Sequence, residues 1–92
     1  MYVTIRAYQG NAELADELAA REDALKDVIG GIDGFRGYYL MKIAEGTATV
    51  SVFDTQEGAD ASTAAAAAWL QENLPDVQAT PYVTSGEAVV SF

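Results

Sequence analysis

Trp69 is the single tryptophan of this chain, and it falls on a helical stretch beside Ala65, Ala66 and Leu70. An indole there anchors a core, or forms the wall of a pocket and stacks on an aromatic substrate. Tyr38 and Tyr39 are adjacent on an extended segment. They point to opposite sides of a sheet, so one of them faces the interior. An interior phenol either finds a backbone partner or donates toward a substrate oxygen, stabilising an enolate or phenolate as charge develops. With an ordinary pKa near ~10 it is a poor base unless perturbed. Arg6 and Arg36 are two of only five cations, and both sit in strand-like segments. They suit pairing with carboxylates at an interface or surface, or orientation of an anionic substrate oxygen. Tyr82 follows Pro81 in a long loop, as an ordinary loop aromatic or as a lid over a cavity. Asp54, Glu57 and Asp60 cluster at a helix start. There they complement the helix dipole and cap its amides, and no metal site is expected from them.

The composition narrows the chemistry further. The 92 residues include no cysteine and no histidine. This excludes disulfides, cysteine nucleophiles, Ser-His-Asp triads and ordinary zinc sites. Fourteen acidic residues against five basic ones give a formal charge of −9, which argues against nucleic acid as a partner. No glycine-rich strand-to-helix turn has phosphate-loop spacing, so nucleotide binding is not expected. The start of the chain lacks the charged and apolar regions of a secretion signal, and no run reaches the ~18–20 apolar residues of a membrane span. The cytoplasm is therefore the expected compartment, with no membrane partner. A chain of this length reads as one domain, residues 1–92, with a thin core that a partner subunit would help to complete.

The elements that must position these side chains follow from periodicity. Tyr2 to Tyr8 alternates as a half-buried strand. Asn11 is placed to cap a helix carrying Leu14, Leu18, Leu25, Val28 or Ile29, and Ile32 on one face and acids on the other. Gly30-Gly31 is expected to end it in a left-handed cap. Phe35 to Ile43 and Thr47 to Phe53 form an antiparallel hairpin about Ala44-Glu45-Gly46. Asp54 and Glu57 read as a capping box for a second helix, which small residues allow close to the sheet and Pro75 stops. Asp76 to Gly86 reads as loop or edge, and Ala88 to Phe92 as the last strand. The order β-α-β-β-α-β gives an α+β, ferredoxin-like sandwich: a four-stranded antiparallel sheet, order 4-1-3-2, with two helices on one face.

Two helices leave the other face uncovered. The apolar set Val3, Ile5, Ala7, Ala48, Val50, Val52, Ala88, Val90 and Phe92 is expected to face the helices. Thr4, Arg6, Tyr8, Thr49, Ser51, Phe53 and Val89 are then expected on the open face, a mixture suited to a homodimer of sheets packed face to face. In the second strand, polarity places Phe35, Tyr39, Met41 and Ile43 in the core, while a bulge near Gly37 would swap them for Tyr38 and Leu40.

Several of these segments together resemble a known family. They are the opening strand and helix, Gly34-Phe35-Arg36-Gly37-Tyr38-Tyr39 leading into the second strand, Val50-Ser51-Val52-Phe53-Asp54 leading into the second helix, and Trp69 late in that helix. From Tyr2 to Phe92 the chain is similar to the antibiotic biosynthesis monooxygenase family of the dimeric α/β-barrel superfamily. The resemblance implies a homodimer with a ligand cavity in each subunit between sheet and helices. Characterised members oxidise polycyclic aromatic substrates without metal or flavin, so no cofactor is expected, and relatives bind or degrade haem. The haem-degrading branch uses a histidine that this chain lacks. The catalytic branch pairs the helix tryptophan with an asparagine one turn earlier; here that position is Ala65, and Asn73 lies one turn later. On this reading Tyr39 and Trp69 are the catalytic candidates, and Phe35, Arg36, Tyr38 and Tyr82 the ligand-binding ones. The activity implied is cofactor-independent oxygenation of a small aromatic ligand. The alternatives are a non-catalytic binding module, or a structural homodimer whose cavity is filled by side chains.

Overall fold

The computed structural model describes residues 1–77 and 80–92. Its elements run β1 (Tyr2–Gln9), α1 (Ala12–Ala19), α2 (Glu22–Gly30), β2 (Phe35–Ile43), β3 (Gly46–Phe53), α3 (Gln56–Asn73) and β4 (Tyr82–Glu87). All strand pairs are antiparallel and the sheet order is β2-β3-β1-β4. This is the expected ferredoxin-like α+β topology, seen from the other edge, and the sheet stays open. No helix among the described residues is long and apolar enough to cross a membrane.

Local chemistry explains most of the boundaries, and corrects some. The expected first helix is broken at Ala20-Arg21 into α1 and α2, so three helices rather than two cover the sheet. No Gly or Pro marks that break. Glu22 and Asp23 favour a fresh N-terminus there. The break also lets Leu14 and Leu18 pack with Tyr8 while Ile29 packs with Phe53. Asn11 occupies the N-cap position of α1 without a side-chain capping bond. Gly31 is right-handed, with φ −81°. The left-handed residue is instead Gly34, φ +83°, where an added Cβ would lie 3.3 Å from the Asp54 Cβ. That close approach is sealed by the Asp54 amide donating to the Gly34 carbonyl at 2.8 Å. The cap of α3 is Thr55, one residue later than expected, its hydroxyl accepting from the Gly58 amide at 3.2 Å.

The last strand is β4, Tyr82–Glu87, so the expectation of Ala88 to Phe92 as a strand is overturned, as is the placing of Tyr82 in a loop. β4 is an edge strand exposed along its whole length. No buried face imposes an alternating pattern on it, whereas Val89, Val90 and Phe92 attracted a strand reading through hydrophobicity alone. The expected loop from Asp76 to Gly86 includes residues 78 and 79, which lie outside the described residues.

The largest correction concerns the faces of the sheet. Arg6, Tyr8, Thr4, Thr47, Thr49, Ser51 and Phe53 are all buried under the helices. Cross-strand partners share a face, so the pairings Ile5↔Val50, Ala7↔Ala48, Val3↔Val52, Val50↔Tyr39 and Ala48↔Met41 place these apolar side chains on the uncovered side. The sheet is inverted with respect to the hydrophobic expectation. In β2 the shift in register between Phe35 and Gly37 carries the swap: Tyr38 and Leu40 face inward, opposite Ser51 and Thr49, and Tyr39 and Met41 face outward. A chain with 14 acidic and 5 basic residues places no charged residue at the paired positions of its open face.

Candidate functional site

β1 delivers Arg6 and Tyr8 to the helix-covered side because the strand period is two. Arg6 is only 1 % exposed. Its Nη1 donates to the Ser51 Oγ at 3.0 Å, and its Nη2 to the Ser62 Oγ at 2.7 Å and the Thr63 Oγ1 at 2.9 Å. Ser62 and Thr63 in turn donate to the Ala59 carbonyl, at 2.7 and 3.3 Å, which leaves their lone pairs for the guanidinium. Two polar groups in this interior are without a partner, the Arg6 Nε and the Thr49 Oγ1. Arg6 and Thr49 are directly opposed across β1 and β3.

Among the described residues no carboxylate pairs with this cation. The ion pairs among the described residues are Arg21–Glu17, Lys26–Glu22, Arg36–Asp54 and Lys42–Asp16, all on the outside. Burial lowers the Arg6 pKa, and its neighbours Tyr8 and Tyr38 act to raise it. Burial pushes the Tyr38 phenol up to about 12, reinforced by Tyr8 and opposed by Arg6. Thr49 also acts to lower it, although the Thr49 hydroxyl does not reach hydrogen-bonding geometry with any partner. Tyr8 is likewise raised by burial, against the pull of Arg6. Near neutral pH both phenols are therefore O–H donors beside a guanidinium held only by neutral hydroxyls.

This arrangement fixes a pH dependence. The folded state holds the Tyr38 proton more tightly than the unfolded chain, so its contribution to stability is complete below the ordinary phenol value of 10.0 and is lost as pH rises toward about 12. Thermal unfolding followed across pH 9–12 should show an alkaline limb that is shallower in Tyr38→Phe (~ range set by the two pKa values). Identical limbs in the two proteins would place the Tyr38 phenol in water.

Two cavities meet at Tyr38. The outer one is a cleft of about 760 Å³ between α2 and β2, with Leu18, Leu25, Ile29, Phe35, Tyr38 and Leu40 among its walls and Glu22 and Lys26 at its rim. The inner one holds about 20 Å³ and is bounded by Arg6, Tyr8, Tyr38, Thr49, Ala66 and Trp69. Leu18, Leu25, Ile29 and Tyr38 belong to both, so the cleft and the inner pocket share a wall, and the inner pocket too is mostly apolar, with Leu18, Leu25, Val28, Ile29 and Leu70 beside its polar groups. The outer volume is that of a small-molecule site, ~300–1,000 Å³, and the inner one has room for about one water-sized atom.

No protein-family model matches the chain, and no curated protein matches it by sequence. Solved structures do match it in three dimensions. The haem degrader MhuD from Mycobacterium tuberculosis, solved with two haems in its active site, is 22 % identical with a TM-score of 0.71, over 100 % of this chain and 99 % of that one. A dimeric ferredoxin-like protein from an uncultured marine organism is 15 % identical with a TM-score of 0.71, covering 99 % and 96 % of the two chains. SnoaB, a cofactor-independent oxygenase from Streptomyces nogalater, is 13 % identical with a TM-score of 0.61, covering 98 % and 92 %. The chain has the fold of the antibiotic biosynthesis monooxygenase-like proteins.

Within this fold the expected site residues separate. Tyr38 and Phe35 line the cleft, Phe35 meeting Phe53 edge-on with ring centroids 5.7 Å apart. Trp69, 8 % exposed, walls the inner pocket and packs with Tyr8, Leu14 and Leu18. Tyr38 rather than Tyr39 is the interior tyrosine. Tyr39 stands on the open face, 64 % exposed, and reaches only the margin of the cleft. Arg36 is exposed and paired with Asp54. Tyr82, 75 % exposed, starts the strand at the opposite edge of the sheet from β2. Asn73 spends its amide on the Trp69 carbonyl at 3.0 Å. The sequence reading missed Tyr8 and Thr49 as site residues and put Arg6 on the wrong face. One signal was available: Ser62 and Thr63 on α3 supply hydroxyls toward a sheet that the reading had made wholly apolar.

Proposed function

We propose that this chain works as a homodimer and oxygenates a small aromatic substrate without a cofactor, the ring lying in the cleft between α2 and β2. The observation that carries this reading is the adjacency of that apolar cleft, across the wall that includes Tyr38, to a small pocket lined by a buried guanidinium with no carboxylate partner among the described residues. The dimer is supported by the largely apolar, charge-free open face of the sheet, and by the dimeric neighbour of the same fold.

An anthrone or electron-rich phenol suits this geometry. Loss of one C–H or O–H proton to solvent leaves an enolate or phenolate whose oxygen Arg6 and the Tyr38 O–H stabilise. The carbanion form gives one electron to O₂, and the radical pair closes to a peroxide, which takes up a proton. Loss of water from the hydroperoxide of a CH₂ carbon then leaves a new C=O. One oxygen atom enters the product and the other leaves as water. The protein's part is to hold the ring, exclude water from the peroxide and lower the cost of the first ionisation. With an anthrone under O₂, product formation should exceed the buffer rate, and Tyr38→Phe should reduce the gain about tenfold to a hundredfold as one donor to the oxyanion is lost. A panel of anthrones and hydroxynaphthalenes turning over no faster than in buffer sinks the oxygenase reading.

One observation favours a second reading, capture of the same ligand without turnover. Glu22 is the one carboxylate among the residues lining either cavity, and it stands on the rim 3.3 Å from the Lys26 ammonium. No other lining group can take a substrate proton near neutral pH. Calorimetric binding of an anthrone with no oxygen uptake identifies this case.

A further inference from the structure

We propose that the inner pocket is a binding site for one monoatomic anion, chloride or bromide, held by the Arg6 Nε–H and the Thr49 hydroxyl. This goes beyond the preceding reading and does not rest on it, since it needs neither the outer cleft nor an aromatic ligand.

A charge removed from water is costly unless an opposite charge or a full set of hydrogen bonds compensates it. Arg6, 1 % exposed, has neither among the described residues. The chain carries 14 acidic side chains, yet the ion pairs leave Arg6 out. The neutral hydroxyls of Ser51, Ser62 and Thr63 hold its two Nη atoms and fix its plane without cancelling its charge. Its Nε–H is left without a partner. Thr49, opposed to it on β3 and 2 % exposed, carries a hydroxyl that is equally without one. Both residues line the same small pocket. Tyr8 and Tyr38 line it too, and with their protons held by burial they add no negative charge near neutral pH. A water molecule would satisfy the hydrogen bonds and leave the charge. An anion does both.

Size and geometry then choose the anion. The pocket, about 20 Å³, has room for about one water-sized atom. Chloride and bromide are little larger than water, whereas acetate, phosphate and sulfate are several atoms across. An oxyanion is normally gripped by two parallel N–H donors of a guanidinium, and here both Nη atoms are already engaged. A spherical ion needs no such fork. It accepts one bond from the Nε–H and one from the Thr49 O–H at whatever angles they offer. The remaining walls are largely apolar, with Leu18, Leu25, Val28, Ile29 and Leu70 among them. Such walls suit a weakly hydrated halide better than the strongly hydrated fluoride.

Thermal unfolding at constant ionic strength tests this, with sodium acetate replaced stepwise by sodium chloride or sodium bromide. Chloride should raise the midpoint along a saturating curve, by about 6–11 °C once it is tenfold above its dissociation constant. Bromide should do the same, although it generally weakens proteins relative to acetate. Arg6→Met should lose the response. Thr49→Val, close in shape, should melt no lower than the unaltered protein in acetate, and should need about tenfold more chloride for the same rise. A crystal grown in bromide should show the anomalous peak of one bromide between the Arg6 Nε and the Thr49 Oγ1. Equal midpoints in the three salts leave only a water in the pocket and overturn the proposal. A halide response that survives Arg6→Met, or a bromide seated elsewhere, overturns it as well. If Arg6→Met does not fold, Thr49→Val and the bromide position decide. Turnover of an anthrone without a halide response removes this proposal and leaves the oxygenase reading standing. A halide response without turnover does the reverse.

Discussion

On the homodimer proposed above, Ile5→Asp should turn the dimer into a monomer. Ile5 lies on the central strand β1, opposite Val50 on one side and Thr84 on the other, and is 43 % exposed in the isolated chain. The face around it carries Val3, Ala7, Val50, Val52 and Met41 and no charged residue at a paired position. Packed against its own copy, such a face buries two aspartates per dimer with no cation to receive them. The dissociation constant should rise by about a thousandfold, or about 4 kcal/mol. Sedimentation of the unaltered protein at micromolar concentration should give a dimer, and of the variant a monomer. Ala64→Asp, on the exposed side of α3, serves as a control and should leave the dimer intact. A variant at Ile5 that sediments as the dimer would move the interface elsewhere.

Arg6→Met should separate stability from ligand binding. In a protein whose largest buried side chain is structural, its removal is expected to unfold the domain. Here the removed group is a cation without a carboxylate partner; of its hydroxyl partners Ser62 and Thr63 keep their bonds to the Ala59 carbonyl, and only the Ser51 hydroxyl loses its partner. Methionine fills much of the same volume without the desolvation penalty of a charge, which offsets the loss of the Ser51 hydroxyl's bond to Arg6. The thermal midpoint of Arg6→Met should therefore equal or exceed that of the unaltered protein, by about 4–8 °C for each kcal/mol gained. The order should reverse when chloride is added, because a ligand that binds only the native state raises the midpoint of the protein that still holds Arg6. A midpoint that falls sharply without ligand would make Arg6 a structural tie satisfied by its three hydroxyls.

Both expectations turn on which side of the sheet faces inward, and that was the point the sequence could not settle. Alternation along β1 and β3 sorts Val3, Ile5 and Ala7 from Thr4, Arg6 and Tyr8 without ambiguity. It does not say which set meets the helices. Hydrophobicity decides that question only when the other face meets water. In this chain the apolar set is the uncovered one, and the set of hydroxyls, phenols and one arginine lies under α1, α2 and α3. The same inversion explains why Tyr38 was left open between two readings. Its inward orientation depends on a one-residue shift between Phe35 and Gly37, a property of strand pairing rather than of composition.

Other features were legible for clear reasons. The element order and sheet order followed from periodicity, short connections and the handedness of crossovers. Trp69 against the sheet followed from its spacing with Ala66 and Leu70. The break at Ala20-Arg21 was not legible, because packing on two separate core clusters sets it and no breaking residue records it. The strand at Tyr82–Glu87 was obscured by its position at an exposed edge, where side chains are free of pattern.

The residue types that can act here were determined by the sequence alone: with no histidine and no cysteine, only tyrosine, tryptophan, arginine and carboxylates remain for chemistry. The tertiary structure decided which of them meet. It withdrew Tyr39, Arg36 and Tyr82 to the outside, and it gathered Arg6, Tyr8, Tyr38, Thr49 and Trp69 around one small, largely apolar pocket. The physical reason is that a strand offers two faces of equal regularity, and only the packing of helices on one of them decides which side chains are enclosed and which are left outside.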